Sequence, residues 1–425
     1  MTKQKETNIS KVCIISDSFI PKKISAAGMI YNLSHEFIKN DIEVICVFGS
    51  SKKDHWRIHN NKIKNYEISK IKVISSYFMS DLREGSYYSR FVYEIILSLS
   101  LCTKIIKNRK LFYGVNLIIW YSPSSFLWMP AFILKKITKA PLYLILRDIF
   151  PDWLVNIGII KNKILIKFLK LITYPQFIIP DIIGCESIKD TNLVKKKIKN
   201  KTVETLYNWP SLNNNQTKEL NVDKLGYIQF YKNNKNNKNI FAVYTGNDSI
   251  SHDLNSGLDF LRLFLKKPNL DIELIVNRFA SKIKSTSITT NLIEKKWDMV
   301  PDYFLPHIYK YVDFGIVSLN VKHETNNLPG KFVSYIQFGL PIICFASSKS
   351  ELANMIRLSN CGCVIDINNK KKYNYELLLS FLSNFNKNKK KYSNNSLKLF
   401  NDYFSIDAVV KNLTNKKIYL ERKFK

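Results

Sequence analysis

Val12-Cys-Ile-Ile-Ser16 is an apolar run that ends in small and polar residues. Asp17-Ser-Phe-Ile-Pro21 follows it, then a helical pattern from Ser25 to Asn40, then a second apolar run, Glu43-Val-Ile-Cys-Val-Phe48. The order predicts strand, loop, helix, strand. Two strands joined through a helix lie parallel in one sheet, so residues 1–50 predict a βαβ unit. Working outward, Lys72-Val-Ile-Ser75, Leu117-Ile-Ile-Trp120, Leu142-Tyr-Leu-Ile-Leu146 and Asp181-Ile-Ile-Gly-Cys185 repeat the pattern with helical stretches between them. That alternation describes a doubly wound α/β domain.

From about Ser211 to Asn239 the chain becomes rich in Asn and Lys, as in Lys232-Asn-Asn-Lys-Asn-Asn-Lys-Asn239, and burial of apolar surface is not expected there. Beyond it the pattern restarts. Ile240-Phe-Ala-Val-Tyr244, Ile272-Glu-Leu-Ile-Val276, Phe314-Gly-Ile-Val-Ser-Leu319, Pro341-Ile-Ile-Cys-Phe345 and Gly362-Cys-Val-Ile365 read as strands. The expected organisation is a first Rossmann-like domain over 1–210, a linker over 211–239, a second Rossmann-like domain over 240–400 and a closing helix over 401–425. Two such domains in tandem predict a cleft that the carboxyl ends of both sheets face.

A length of 425 residues suits two cores, and 46% hydrophobic residues exclude a disordered chain. Seven cysteines, most of them inside apolar runs, read as reduced core residues, and Cys361-Gly-Cys363 lacks the spacing of a zinc site. No metal or cofactor is expected. The net charge of +31 rests on 56 Lys and only nine Arg. That skew speaks against nucleic acid, whose recognition leans on Arg, while an anionic membrane surface or a diphosphate remains attractive to Lys. The start, Met1-Thr-Lys-Gln-Lys-Glu-Thr7, has no apolar run behind its charges, so a cytoplasmic location is expected, with the inner face of the plasma membrane as the surface the chain meets. The uncharged stretch Leu111–Leu134 is long enough to span a bilayer, but its prolines and serines favour a strand, a turn at Ser122-Pro-Ser-Ser125 and a buried helix. Two basic-apolar stretches, 91–110 and 160–180, suit either a membrane surface or ordinary packing against the sheet.

Chemistry concentrates in Leu328-Pro-Gly-Lys-Phe-Val-Ser-Tyr-Ile-Gln-Phe-Gly-Leu-Pro341. A Pro-Gly turn opens a short helix, and Gly339 and Pro341 close it. The helix start offers unpaired N–H groups and partial positive charge, so the amides around Gly330 together with Lys331 can hold a diphosphate; a capped surface helix with a solvated lysine is the plainer reading. Arg147 and Asp148 follow a buried strand, where an ion pair at a strand end competes with a place in the cleft. Asp148 and Asp152, and Asp17 directly after the first strand, stand near carboxyl strand ends, where ligands of such sheets bind.

Several of these pieces, in this order, resemble bacterial family 4 glycosyltransferases, retaining enzymes of the GT-B fold that build O-antigen and capsular polysaccharides. The Leu328–Pro341 segment is similar to that family's Leu-Pro-x-Lys stretch. Ile15-Ser-Asp-Ser-Phe-Ile-Pro21 with Ala26-Ala-Gly-Met-Ile-Tyr-Asn-Leu-Ser-His-Glu-Phe37 resembles its first strand, loop and helix, and Leu146-Arg-Asp-Ile-Phe-Pro-Asp152 with Gly158 its Arg-Asp signature. Leu206-Tyr-Asn-Trp-Pro210, Tyr244-Thr-Gly-Asn247 and Val300–Asp313 complete the series.

The resemblance implies an acceptor-binding first domain, a nucleotide-sugar-binding second domain, and a glycan or undecaprenyl-diphosphate-linked acceptor. It implies donor contacts from Ala27, Gly28, Gly246, Asn247, Arg278, Glu324, Leu328, Gly330, Lys331 and Ser334, acceptor contacts from Arg147, Asp148 and Asp152, and catalytic roles for Asp17, Asp148 and Lys331. The family's two glutamates eight positions apart correspond to Asn326 and Ser334, with Glu324 near but out of register. The basic residues that follow its second domain's first strand are replaced by Asn247 and His252-Asp253, which leaves Lys331 and Arg278 to supply charge. Rival readings are a sugar-nucleotide epimerase on the same scaffold and a non-catalytic basic protein that binds membrane or polyanion.

Overall fold

The computed structural model describes residues 9–22, 24–60, 68–77, 82, 85, 87–156, 158, 160–210, 226–236, 238–246, 252–266, 272–279, 288–289, 291–301, 304–320, 328–368 and 371–414. The chain forms two compact units. The first is Met1–Ser211 together with Ile406–Lys425, and the second is Leu212–Ser405.

The first unit is built on seven parallel strands: β1 (Lys11–Ser16), β2 (Glu43–Gly49), β3 (Ile71–Ser76), β4 (Leu117–Tyr121), β5 (Leu142–Leu146), β6 (Ile182–Cys185) and β7 (Thr202–Thr205). Their order across the sheet is β3-β2-β1-β4-β5-β6-β7. Period-two alternation assigns side chains to the two faces. Val12 and Ile14 of β1 join a core with Met29, Ile30, Leu33 and Phe37 of the helix Ser25–Lys39, whereas Cys13 and Ile15 join a core on the other face. That second core receives Tyr93, Leu97, Leu101 and Ile105 from the helix Tyr87–Lys107, and Leu127, Ala131 and Leu134 from the start and body of the helix Trp128–Thr138. The uncharged stretch 111–134 is therefore strand, turn and buried helix, and no described helix is long and apolar enough to cross a membrane.

Over 401–414 the closing segment differs from the expected helix over 401–425, of which 415–425 lie outside the described residues. The helix Phe385–Tyr403 stops at Phe404, and a separate helix, Ile406–Thr414, places Val409, Val410 and Leu413 in the first unit's core beside the helix Ser25–Lys39. Apolar residues at i, i+1 and i+4 give this last helix one buried stripe, which fixes it on the first unit.

The second unit repeats the architecture with β8 (Asn239–Thr245), β9 (Glu273–Phe279), β10 (Ile288–Thr289), β11 (Leu292–Trp297), β12 (Phe314–Ser318), β13 (Ile342–Phe345) and β14 (Gly362–Ile365). The order is β10-β11-β9-β8-β12-β13-β14, all parallel except the short edge strand β10. The expected linker is shorter than its composition implies. Tyr227–Asn234 is a helix, and Tyr227 is fully buried against Phe279 and Trp297, with ring centroids 5.6 and 5.3 Å away. Tyr227, Phe230 and Tyr231 stand at i, i+3 and i+4, so an aromatic stripe overrides the Asn-Lys background. Residues 211–225 of that linker lie outside the described residues.

Candidate functional site

In both sheets the strand order reverses beside the first strand of the unit, between β1 and β4 and between β8 and β12. Ligands of open α/β sheets lie outside the carboxyl ends of the strands at such points. At the second of them the helix Gly330–Gln337 begins after an extended Pro329. Helix geometry leaves the first amides without carbonyls of their own. Those of Phe332 and Val333 turn back to the Pro329 carbonyl at 3.0 and 3.4 Å, and Gly330 stands at the helix start. Gly330 is exposed, and a Cβ there would meet nothing within 4 Å. Leu328, half-buried, leads into the turn.

Lys331 folds back over β8, its Nζ 3.7 Å from the centroid of the Tyr244 ring. One turn on, the Tyr335 hydroxyl accepts the Thr245 N–H at 2.9 Å and lies 3.2 Å from Thr245 Oγ1. Tyr335 fits because residue 315 is glycine: a Cβ there would stand 2.3 Å from its ring. Gly246, with φ +91°, follows β8 in the left-handed region that suits glycine, and its N–H donates to the Phe279 carbonyl at 3.0 Å. Ser334 faces the Tyr309 hydroxyl at 3.2 Å. Gly246, Leu328, Gly330, Lys331 and Ser334 are thus gathered around the end of β8 and the helix docked on it. Asn247 and Glu324 lie outside the described residues.

Arg278 is placed differently from the expectation of a charge open to a diphosphate. Its guanidinium forms a buried ion pair with Glu294 of β11, and Arg262 reaches the same carboxylate at 3.1 Å. Arg278 thereby neutralises a carboxylate inside the unit. Ala27 and Gly28 also differ as amide donors, since their N–H groups donate to the Ile24 carbonyl at 3.1 and 3.4 Å and close the first turn of their own helix.

At the carboxyl edge of the first sheet, Asp17 follows β1, buried, and accepts the Ser18 hydroxyl at 2.9 Å. Arg147 follows β5; its Nη2 lies 3.2 Å from Glu186 Oε2, and its guanidinium carbon stands 5.7 Å from the Tyr121 ring centroid. Asn208 donates to Glu186 Oε2 at 3.0 Å. Burial pushes the Glu186 carboxyl above its ordinary range, against the opposing pull of Arg147 and Asn208. Asp148 is exposed at the rim; desolvation raises its pKa, while Arg147 and Arg90 pull it down.

Asp152 is engaged by two lysines in this arrangement. Lys170 at 3.1 Å and Lys197 both pair with it, and these hydrogen bonds outweigh desolvation and hold its carboxyl below the ordinary range. It ties the helix Lys163–Thr173 to the helix Ile188–Lys197.

Two acidic residues here were missed in sequence. Glu186 stands directly after β6, and the carboxyl-end position was the signal that could have found it. Glu94 lies in mid-helix, where no motif marks it. It accepts the Ser124 hydroxyl at 3.0 Å and the Arg90 Nε–H at 3.4 Å.

No family model matches the chain, and no curated protein matches its sequence. Solved structures match its fold from end to end. The N-terminal domain of the Candida albicans trehalose-6-phosphate phosphatase superposes with a TM-score of 0.63 at 10% identity, covering 99% of each chain. The α,α-trehalose 6-phosphate synthase of Burkholderia multivorans gives 0.62 at 9% identity, over 98% of this chain and 99% of that one. A glycosyltransferase from Rickettsia africae gives 0.53 at 13% identity, over 97% and 99%. The chain has the GT-B fold. In GT-B terms the Lys331 helix and the Gly246 turn belong to the second α/β domain, and the Asp17, Arg147 and Glu186 cluster to the first.

Proposed function

We propose that the chain is a retaining glycosyltransferase that moves a sugar from a nucleotide-sugar donor to a lipid-linked glycan acceptor in surface polysaccharide assembly. The observation that carries this reading is the placement of Lys331 and of the helix start at Gly330 at the switch point of the second sheet, within a segment that resembles family 4 glycosyltransferases. The donor's diphosphate gains negative charge as its bond to the sugar breaks. A cation and a helix start fixed beside it stabilise that charge without reorganising. The departing oxygen takes the proton of the incoming hydroxyl on the same face, so the new bond forms where the old one broke and configuration is kept. Asp148 and Asp17 serve the acceptor, as hydrogen-bond acceptors for its hydroxyls. Two of the superposed structures carry the names of sugar-transferring enzymes, which supports the transferase reading.

A panel of UDP-, GDP- and CMP-sugars tests the donor assignment. One base is expected to raise the melting temperature, and transfer to a saccharide should follow with retained configuration. An epimer formed without acceptor would replace this reading with that of an epimerase.

The lipid-linked acceptor is supported by the helix Lys163–Thr173. Its inward side holds Leu169 and Thr173, while Ile164, Phe168 and Leu171 form an outward stripe that is 80%, 53% and 71% exposed. Lys161, Lys163 and Lys167 accompany this stripe and are exposed. An ordinary sheet-packing helix turns polar residues outward; an apolar stripe with lysines suits an anionic bilayer surface. Binding to phosphatidylglycerol vesicles is expected to weaken at least about tenfold in the double variant Phe168→Glu and Leu171→Glu, since each carries an inserted side chain worth roughly 1.5–3 kcal/mol. Vesicle sedimentation checks this, and equal binding by the variant removes the membrane from the proposal.

A further inference from the structure

Glu94 occupies an unusual place for a carboxyl. Its helix, Tyr87–Lys107, is drawn close to the strand ends: a Cβ on Gly49, the last residue of β2, would stand 2.7 Å from the Tyr93 hydroxyl and 2.9 Å from the Asp17 carbonyl oxygen. Glycine at 49 permits that approach, and the residue after Tyr93 comes within the field of Asp17. From its own helix Glu94 receives Arg90, and from the turn after β4 the Ser124 hydroxyl. The same turn holds Ser122 and Ser125, fully buried, whose hydroxyls have no protein hydrogen-bond partner among the described residues. Buried hydroxyls are ordinarily paired, and a polyol ligand supplies partners of the kind they lack. All of this stands where the order of the first sheet reverses, between β1 and β4.

We propose that Glu94 is an acceptor-recognition residue: with Asp17 and the turn Ser122–Ser125, its carboxylate binds a pair of neighbouring hydroxyls on a sugar ring. The word acceptor rests on the transferase reading, whereas the binding of a saccharide does not. A carboxylate takes two hydroxyl donors side by side, and such charge-assisted bonds are roughly twice as strong as neutral ones. The protein keeps this carboxyl at a cost. Burial first, and then the charge of Asp17, raise its pKa to about 7, against the downward pull of Arg90 and Ser124. The folded chain therefore holds a proton that the unfolded chain releases near the ordinary 4.5, so stability is lost as pH rises from there through about 7.

The test uses Glu94→Gln in the full chain, with octyl β-glucoside, octyl β-galactoside and octyl β-N-acetylglucosaminide as probes. Saturation-transfer NMR should show at least one glycoside bound by the unaltered protein, more weakly at pH 6 than at pH 8. Glu94→Gln should bind it at least about tenfold more weakly at pH 8, with the pH dependence gone. The variant should also melt higher at pH 8 than the unaltered protein and no higher at pH 4.5, which shows that lost binding is not lost folding. If none of the probes binds the unaltered protein, or if Glu94→Gln binds as tightly as the unaltered protein at both pH values, the assignment is overturned. Failure of the transferase reading looks different: glycoside binding persists while no nucleotide sugar is turned over.

Discussion

Lys331→Ala is expected to lower kcat/KM for the nucleotide sugar by about 100- to 1000-fold, or roughly 3–4 kcal/mol of transition-state stabilisation, as loss of a fixed donor at a developing anion does elsewhere. The physical reason is the location of Nζ above the Tyr244 ring at the end of β8, next to amides of a helix start. The aromatic face holds the ammonium while leaving its positive field intact, and no sugar-bound conformation has to recruit it from solvent. Stability should change far less than activity, because the side chain is only partly buried and its interaction with the ring is worth about 0.5–2 kcal/mol. Lys331→Arg should recover part of the rate. Steady-state kinetics on the donor identified by melting shifts decides the matter: unchanged kcat and KM in Lys331→Ala would falsify the donor-site assignment.

Glu294→Ala is expected to destabilise the second unit by about 3–5 kcal/mol, the cost of leaving a buried charge without its counter-charge. Glu294 is 3% exposed and holds Arg278, 9% exposed at its side chain, from the neighbouring strand, while Arg262 closes on its other oxygen. Glu294→Gln keeps the shape and one acceptor and should cost less than the alanine. Urea unfolding monitored by Trp297, on the same strand, measures the difference. Equal midpoints for the alanine variant and the parent would show that the pair adds nothing to the fold.

How much of this was legible in the sequence depends on where the apolar pattern carried the information. The β1-helix-β2 unit was readable because Val12 to Ser16 and Glu43 to Phe48 are apolar runs flanking a 3.6-residue pattern. β11 was not, because Leu292-Ile-Glu-Lys-Lys-Trp297 looks like a charged surface segment; the ladder with β9 and the pairing of Glu294 with Arg278 make a strand of it, with only Leu292 and Glu294 buried. The helix Tyr227–Asn234 was hidden by the Asn- and Lys-rich stretch around it, which masks three aromatics that share one side. In the candidate site, Lys331 was visible through its Pro-Gly turn and helix start. Glu94 was not, because an isolated glutamate in a helix is ordinarily solvated, whereas this one is largely desolvated against Ser124 and Arg90. Arg278 shows the converse: a cation just beyond an apolar run reads as a ligand in sequence, and the carboxylate it pairs with is visible only in the fold.

The helix Ile406–Thr414 sets the order in which the molecule can be finished. Val409, Val410 and Leu413 fill a core begun by Val12 and Met29, yet they are made only after the whole second unit has been translated. During synthesis the first unit therefore waits with an unfilled apolar surface along the helix Ser25–Lys39, the kind of surface that engages chaperones. A message that stops before codon 406 would release a protein with both sheets encoded and its first core permanently open.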